Sequence, residues 1–354
     1  MSLICRLTDR PVETFTLAFE NPRFDEVRHQ KILKDFAGYN ISNQQAVCTI
    51  KDFELLPKAV WHCEDPYANG VEIPRMLLSQ LASKNVKVVL TGEGSDEVFG
   101  GYGWFSTDKL IRPLTKLPLN IRRFISQLPP IKKRWPRGSR MLIVPTEMNL
   151  ARYKQIIDSA NPEFNYSLFS HDLREKLMKD ESSEDIPSLP EDFYKWHPFA
   201  QLQFFEMKVR LLNYITRHLD AASMAYSLEV RVPFLDHELV EFCAKIPPNL
   251  KMRGIKEKHI LRMAMQDILP AEIVKRKKRG LAAPFSEWVR HLPAFAVELL
   301  SENQIGKKGY FNSKLISHLV EQHRTGKADY GGQLMCVLGV QLWDNLFLRG
   351  CRPE

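Results

Sequence analysis

The segment that most restricts how this chain can fold is a short β-branched run, Val86–Leu90 (VKVVL), that empties into Thr91-Gly92-Glu93-Gly94. A run of this kind reads as a buried strand with a glycine turn at its carboxyl end. Upstream, Val12–Phe19 (VETFTLAF) reads as a strand, Phe24–Gly38 as a helix, Val47–Ile50 as a second strand, Leu55–Val60 as helical and Pro74–Ser83 as a helix. Alternation of strands and helices predicts a parallel sheet covered by helices. Leu17 and Leu90 are expected on neighbouring buried strands, with Thr91–Asp96 at the carboxyl edge, where ligands of such sheets bind.

Beyond Tyr102 the pattern changes. Pro113–Arg140 carries five prolines and many basic residues and reads as an irregular connection, and the acidic Asp180–Asp192 reads as an exposed loop. Most of the remainder is helical. Phe204, Met207, Leu211 and Ile215 share one helical face, and Asp236 and Asn312 are placed to cap later helices. The chain is therefore divided into an α/β nucleotide-binding part, residues 1–105, and a mainly helical part, residues 106–354.

Apolar residues make up 44% and charged residues 26%, the mixture of a soluble globular protein. No apolar run approaches the roughly 18–20 residues that span a bilayer, and no secretory signal opens the chain. The six cysteines form no CxxC pair, which argues against a zinc site and for free thiols in the cytoplasm. Two basic clusters, around Lys132–Arg140 and Lys275–Arg279, contribute to a formal charge of +8. They read as solvated faces or as facing a polyanionic small molecule. No nucleic-acid motif accompanies them, and neither nucleic acid nor membrane is expected as a partner.

The turn after Leu90 carries the chemistry. Gly92 and Gly94 let backbone N–H groups approach an anion, and Glu93, Asp96 and Glu97 place three carboxylates near that edge. Carboxylates beside a phosphate site call for Mg²⁺. The alternative is an acidic surface turn. Taken alone, Lys258 reads as a surface lysine at a helix start and His259 as a helix-face residue. Asp236 reads as a cap and Tyr102 as loop packing. Arg231 either anchors its loop or binds substrate, and Glu229 either acts in catalysis or only pairs with Arg231.

VVLTGEGSDEVFGGY resembles the second signature of the asparagine synthetase family, including its β-lactam synthetase relatives. Three further segments resemble the family in order: Asp220–Asp236 (DAASMAYSLEVRVPFLD), Lys256–Arg262 (KEKHILR) and Arg276–Trp288 (RKKRGLAAPFSEW). The resemblance implies a pyrophosphatase-loop fold of the adenine nucleotide α-hydrolase type. It implies ATP-dependent activation of aspartate as β-aspartyl-AMP, with release of pyrophosphate and then amination by ammonia. Carried over by position, it implies that Leu17, Thr91, Gly92, Gly94 and Ser95 bind ATP and that Asp96 holds Mg²⁺. It likewise gives catalytic roles to Glu93, Lys258 and Glu229, while Arg231 stays a candidate for substrate binding on its own residue type. Glu93 stands where β-lactam synthetases have Tyr, which favours amide formation over ring closure.

Two departures from the family pattern stand out. The sequence contains no SGGxDS, the loop that wraps the pyrophosphate, and residue 2 is Ser2 instead of the cysteine of a glutaminase domain. The expectation is an incomplete synthetase half with little activity of its own, an unpaired sheet edge beside Val12–Phe19 and poor solubility. Three explanations stay open: a truncated product, one half of a split enzyme whose partner chain supplies the loop, and a paralogue that binds without catalysing. A homodimer is also left open.

Overall fold

The computed structural model describes all residues of the chain except 22, 25–26, 37–39, 68–69, 135, 158–161, 180–186, 277–279, 281–282, 352 and 354. The carboxyl end of the expected Phe24–Gly38 helix and most of the Asp180–Asp192 loop therefore lie outside the described residues. The helix itself runs Val27–Asp35.

Strand β1, Val12–Phe19, forms where the aromatic and β-branched residues predict it. Its neighbour β2, Ile41–Cys48, is longer and earlier than the expected Val47–Ile50. Ser42, Asn43, Gln44 and Gln45 have little strand propensity, so pairing decides here. The two strands run parallel from Val12 opposite Ile41 to Phe19 opposite Cys48. Thr14 Oγ1 donates to Asn43 Oδ1 at 2.9 Å and Asn43 Nδ2 to Thr16 Oγ1 at 3.3 Å. These cross-strand bonds compensate for the polar composition. A capping box then ends β2: Thr49 N–H donates to Asp52 Oδ2 at 2.7 Å and opens a 3₁₀ turn over Ile50–Leu55.

Strand β3, Val88–Leu90, pairs in parallel with β4, Glu229–Arg231, across a long helical excursion. The expected single sheet is instead two separate pairs, β1–β2 and β3–β4. Leu17 and Leu90 are consequently not neighbours. Nor is β3 buried: Val88 is 38% and Leu90 52% exposed, because among the described residues no strand covers its second edge. β1 likewise pairs only with β2 among those residues.

Two main cores hold the molecule. One joins Phe19, Cys48, Phe53, Leu56 and Ile73 to Leu334, Leu338 and Leu342 of the Gly331–Trp343 helix, so the chain's two ends share one apolar interior. The other gathers Phe105, Ile111, Tyr153, Phe193 and Phe205. Pro113–Arg140 is not irregular. It contains the end of a Gly103–Thr115 helix and the helices Leu119–Gln127, Pro129–Arg134 and Pro136–Met141. Pro118 precedes the first residue of one helix, and Pro129 and Pro136 open two others. Proline is tolerated there because a helix start leaves its N–H unpaired anyway. The expected caps form: Asp236 Oδ1 accepts from Glu238 N–H at 3.0 Å, and Asn312 Oδ1 from Leu315 N–H at 3.1 Å.

A charge cluster around a buried histidine ties the first part to the second. His218, fully buried on the Arg217–Met224 helix, lies 2.9 Å from Glu72 Oε1 through Nδ1 and 3.1 Å from Asp65 Oδ2 through Nε2. Burial pushes its pKa down, but hydrogen bonds and charge from the two carboxylates outweigh burial and hold it above the ordinary imidazole value.

Candidate active site

The site grows from the carboxyl end of β3. Thr91 N–H donates to the Arg231 carbonyl at 3.0 Å, which extends the β3–β4 pairing one residue into the turn. Gly94 then takes φ +88°, and a Cβ there would fall on the Leu235 side chain. This glycine is required on both counts. It opens the short Ser95–Phe99 helix, whose first turn carries Asp96 and Glu97. Ser95 Oγ closes the turn by donating to the Gly92 carbonyl at 2.9 Å.

Opposite this corner stands Lys258, which precedes the His259–Ala264 helix at φ +50°, an uncommon conformation for a residue with a side chain. The approach is fixed by Arg262, whose guanidinium donates to the carbonyls of Glu257 at 3.0 Å, Arg276 at 3.0 Å and Val274. Lys258 Nζ lies 2.9 Å from Asp96 Oδ1 and donates to Ser95 Oγ at 2.9 Å. Gly101 makes that meeting sterically available, since a Cβ there would overlap both the Asp96 carboxylate and the Lys258 side chain. Lys258 and Asp96 remain 16% and 15% exposed. Lys258, Thr91, Gly92, Gly101 and Leu90 line a cavity of about 840 Å³. Thr91 Oγ1 is buried with no hydrogen-bond partner among the described residues.

The structure sorts the remaining expected residues. Glu93 pairs with Arg75 Nη2 at 3.3 Å. Arg75 is a residue the sequence reading passed over. Its signal is a lone arginine between the fully buried Ile73 and Met76. Glu97 does not join the carboxylate edge. It turns inward, 1% exposed, and accepts from Tyr102 Oη at 2.5 Å. Tyr102 thus packs the loop from within, and burial pushes the Glu97 carboxyl above its ordinary range. Glu229 and Arg231 pair with each other at 2.7 Å, both more than half exposed. Leu17 packs against the first core and does not line the cavity at Lys258, because its sheet is separate.

A buried layer supports the corner. Gln203 donates to the carbonyls of Glu97 and Val98, both at 2.7 Å. The π-helical stretch Glu206–Thr216 lays Arg210 over the rings of Tyr102 at 4.6 Å and Trp104 at 5.1 Å. Glu206 accepts from Trp104 Nε1 at 2.7 Å, and burial pushes its carboxyl up to about 7. Burial also pushes the Cys48 and Cys63 thiols up to about 12, so neither is a nucleophile near neutral pH.

The arrangement can do electrostatic work on an anion. Among the described residues no group of three or more His, Cys, Asp or Glu converges to hold a metal unaided. A Mg²⁺ ion would share Asp96 with phosphate oxygens, as Mg²⁺ commonly does. The residues fit such a unit. Placed between Asp96 and Lys258, a Mg²⁺–phosphate pair would give each side chain the opposite charge it takes here from the other. The unpartnered Thr91 Oγ1 adds a polar contact at the same edge.

The profile of the asparagine synthase family matches residues 1–345. Asparagine synthetase [glutamine-hydrolyzing] 1 of Bacillus subtilis is 27% identical over 95% of this chain and 52% of its own length. A putative asparagine synthetase [glutamine-hydrolyzing] of Mycobacterium tuberculosis is 29% identical over 95% of this chain and 51% of its own. Amidase chry2 of Gibberella zeae is 27% identical over 78% of this chain and 44% of its own. The chain spans about half the length of these curated relatives.

Proposed function

The chain belongs to the asparagine synthase family, and from that premise we propose that it carries the ATP-using step of amide formation. In this reading a carboxylate oxygen of the acceptor, aspartate, attacks the α-phosphorus of ATP. A new P–O bond forms, the bond to the β-phosphate breaks, and pyrophosphate leaves. Ammonia then displaces AMP from the activated acyl group.

Lys258 places its ammonium on the α-phosphate, where negative charge grows as the bond breaks. Asp96 would hold Mg²⁺, which supplies charge neutralisation on the departing pyrophosphate. Thr91, Gly92, Gly94 and Ser95 shape the edge on which the nucleotide lies. Glu93, oriented by Arg75, acts where the acyl-adenylate forms. Arg231 takes the acceptor's free carboxylate, and Glu229 orients Arg231. The single observation that carries the reading is the ion pair between Lys258 and Asp96 over the side-chain-free surface of Gly101, at the carboxyl edge of a parallel strand pair.

The sequence contains no SGGxDS segment, so the test has two arms. Pyrophosphate release with ATP, Mg²⁺, aspartate and ammonium is measured on the chain alone and on the chain extended by a strand and such a segment. The expected result is turnover well below about 1 per second, the low end of ordinary enzymes, for the chain alone. The extended chain should release pyrophosphate only when aspartate is present. Lys258→Ala or Asp96→Asn should lower that release by about 100–1,000-fold. Release that survives both substitutions would overturn the assignment.

A further inference from the structure

The stretch from Lys109 to Thr146 contains ten Lys and Arg residues and no Asp or Glu. Within it, the Leu119–Gln127 helix is inside out. Its one buried residue is Arg122. The Arg122 guanidinium donates to the carbonyls of Leu117 at 2.9 Å, Leu142 at 3.0 Å and Val144 at 2.7 Å. Because a buried guanidinium left without acceptors is costly, these bonds fix the helix's rotation. Rotation about the helix axis to hide its apolar side chains would break them. Ile121 and Phe124, about 60° apart around the helix axis, consequently face outward, 47% and 68% exposed, and Leu119 at the helix start is 40% exposed.

The preceding helix adds to the same stretch. Leu110 and Leu114, spaced to share a helical face, are 58% and 39% exposed, and Leu117 in the following turn is 38% exposed. Exposed Lys116, Arg123, Lys132, Lys133 and Arg134 accompany them. Exposed apolar patches of this kind mark contact surfaces.

We propose that this face seats on an anionic lipid surface, with the apolar side chains at the headgroup–acyl boundary and the cations on the phosphates. Charge complementarity selects this occupant. A second copy of the chain would bring two acid-free cationic stretches together. A nucleic acid would satisfy the cations but give the six apolar side chains no matching environment. An interfacial bilayer takes both at once. No helix among the described residues is long and apolar enough to cross a membrane, and the expectation of no membrane contact, drawn from the lack of a spanning run, does not cover a helix lying on the surface. The Gly103–Thr115 helix begins two residues after Gly101. At about 1.5 Å per residue, this 13-residue helix spans about 20 Å between the side of the Asp96–Lys258 corner and the lipid-facing stretch.

The test is co-sedimentation of the full chain with extruded vesicles, either phosphatidylcholine alone or containing about one-third phosphatidylglycerol. The expected result is binding to the anionic vesicles only, weakened at least about tenfold in roughly 0.5 M salt. The triple variants Leu119→Ser/Ile121→Ser/Phe124→Ser and Arg123→Glu/Lys132→Glu/Lys133→Glu should each lower partitioning by about tenfold or more. Both leave Arg122 in place, and unchanged thermal melts would show that the fold is intact. The proposal is overturned by absence of binding, by equal binding to both vesicle types, or by anionic binding that the apolar variant leaves unchanged. Duplex DNA at equal phosphate concentration is the remaining arm, and tighter binding to DNA than to anionic vesicles also overturns it.

Discussion

Asp65–His218–Glu72 and Asp96–Lys258 are both clusters of opposite charge within about 3 Å, yet their surroundings differ. His218 is fully buried and both of its ring nitrogens face carboxylates. Lys258 and Asp96 keep 16% and 15% of their side-chain surface, and Lys258 lines a cavity. In the first cluster His218 and Glu72 are buried, Asp65 stays 20% exposed, and the contacts join the Glu72–Ser83 and Arg217–Met224 helices. The second can exchange its internal partner for a ligand of matching charge. What separates the two is the cation: His218 is fully buried between its carboxylates, whereas Lys258 reaches a cavity.

The comparison predicts that substitutions in the two clusters fail in different assays. The largest effect is expected at the His218 cluster. His218→Ala leaves the buried Glu72 carboxylate without its partner, while Asp65 keeps Arg217 at 3.8 Å, and should lower unfolding free energy by about 3–5 kcal/mol, read by urea denaturation. Nucleotide affinity of the folded fraction should stay unchanged. A loss under about 1 kcal/mol would show that the cluster does not hold the fold together.

Next come Lys258→Ala and Asp96→Asn. In the chain extended by SGGxDS, each should cost about 100–1,000-fold in pyrophosphate release, with melting temperatures close to wild type. Gly101→Ala should act in the same assay, because its Cβ would occupy the space in which Asp96 and Lys258 meet. Full activity in Gly101→Ala would mean that the ion pair is dispensable.

A smaller effect sharpens the contrast through pH. His218 is held above the ordinary imidazole value by its two carboxylates against burial. Its contribution is therefore fully present below about 6.5 and lost as pH rises through the folded value. Glu206, pushed up to about 7 by burial, keeps a proton that the unfolded chain loses near roughly 4.3. The folded state binds more protons in that window, so stability again falls as pH rises. Melting temperatures should decline from about pH 5 to 8, and Glu206→Gln should flatten part of the decline. Stability that rises with pH across this range would contradict both assignments.

The sequence made some of this legible and hid the rest for physical reasons. β1 and the caps at Asp236 and Asn312 follow from local composition, and Lys258 follows from the segment around it. β2 was legible only at its end, because Ser42–Gln45 become strand through hydrogen bonds to Thr14 and Thr16. The glutamate beside Asp96 gave no sign that it turns inward, since Glu97 differs from its neighbour only in the partner, Tyr102, that folding brings to it. Pro118, Pro129 and Pro136, read as breakers, proved to stand at helix starts, and Pro113 lies inside a helix. The outward apolar side chains of Leu119–Gln127 were hidden because the prolines of Pro113–Arg140 made the segment read as an irregular connection, and their direction depends on carbonyls at Leu117, Leu142 and Val144.

The central claim, that the Asp96–Lys258 corner is where a Mg²⁺-nucleotide binds, is tested most directly by calorimetric titration of ATP into this chain. The account predicts binding that requires Mg²⁺ and weakens at least about tenfold in both Lys258→Ala and Asp96→Asn, with thermal melts unchanged. Absence of binding, or an affinity that neither substitution alters, would contradict it.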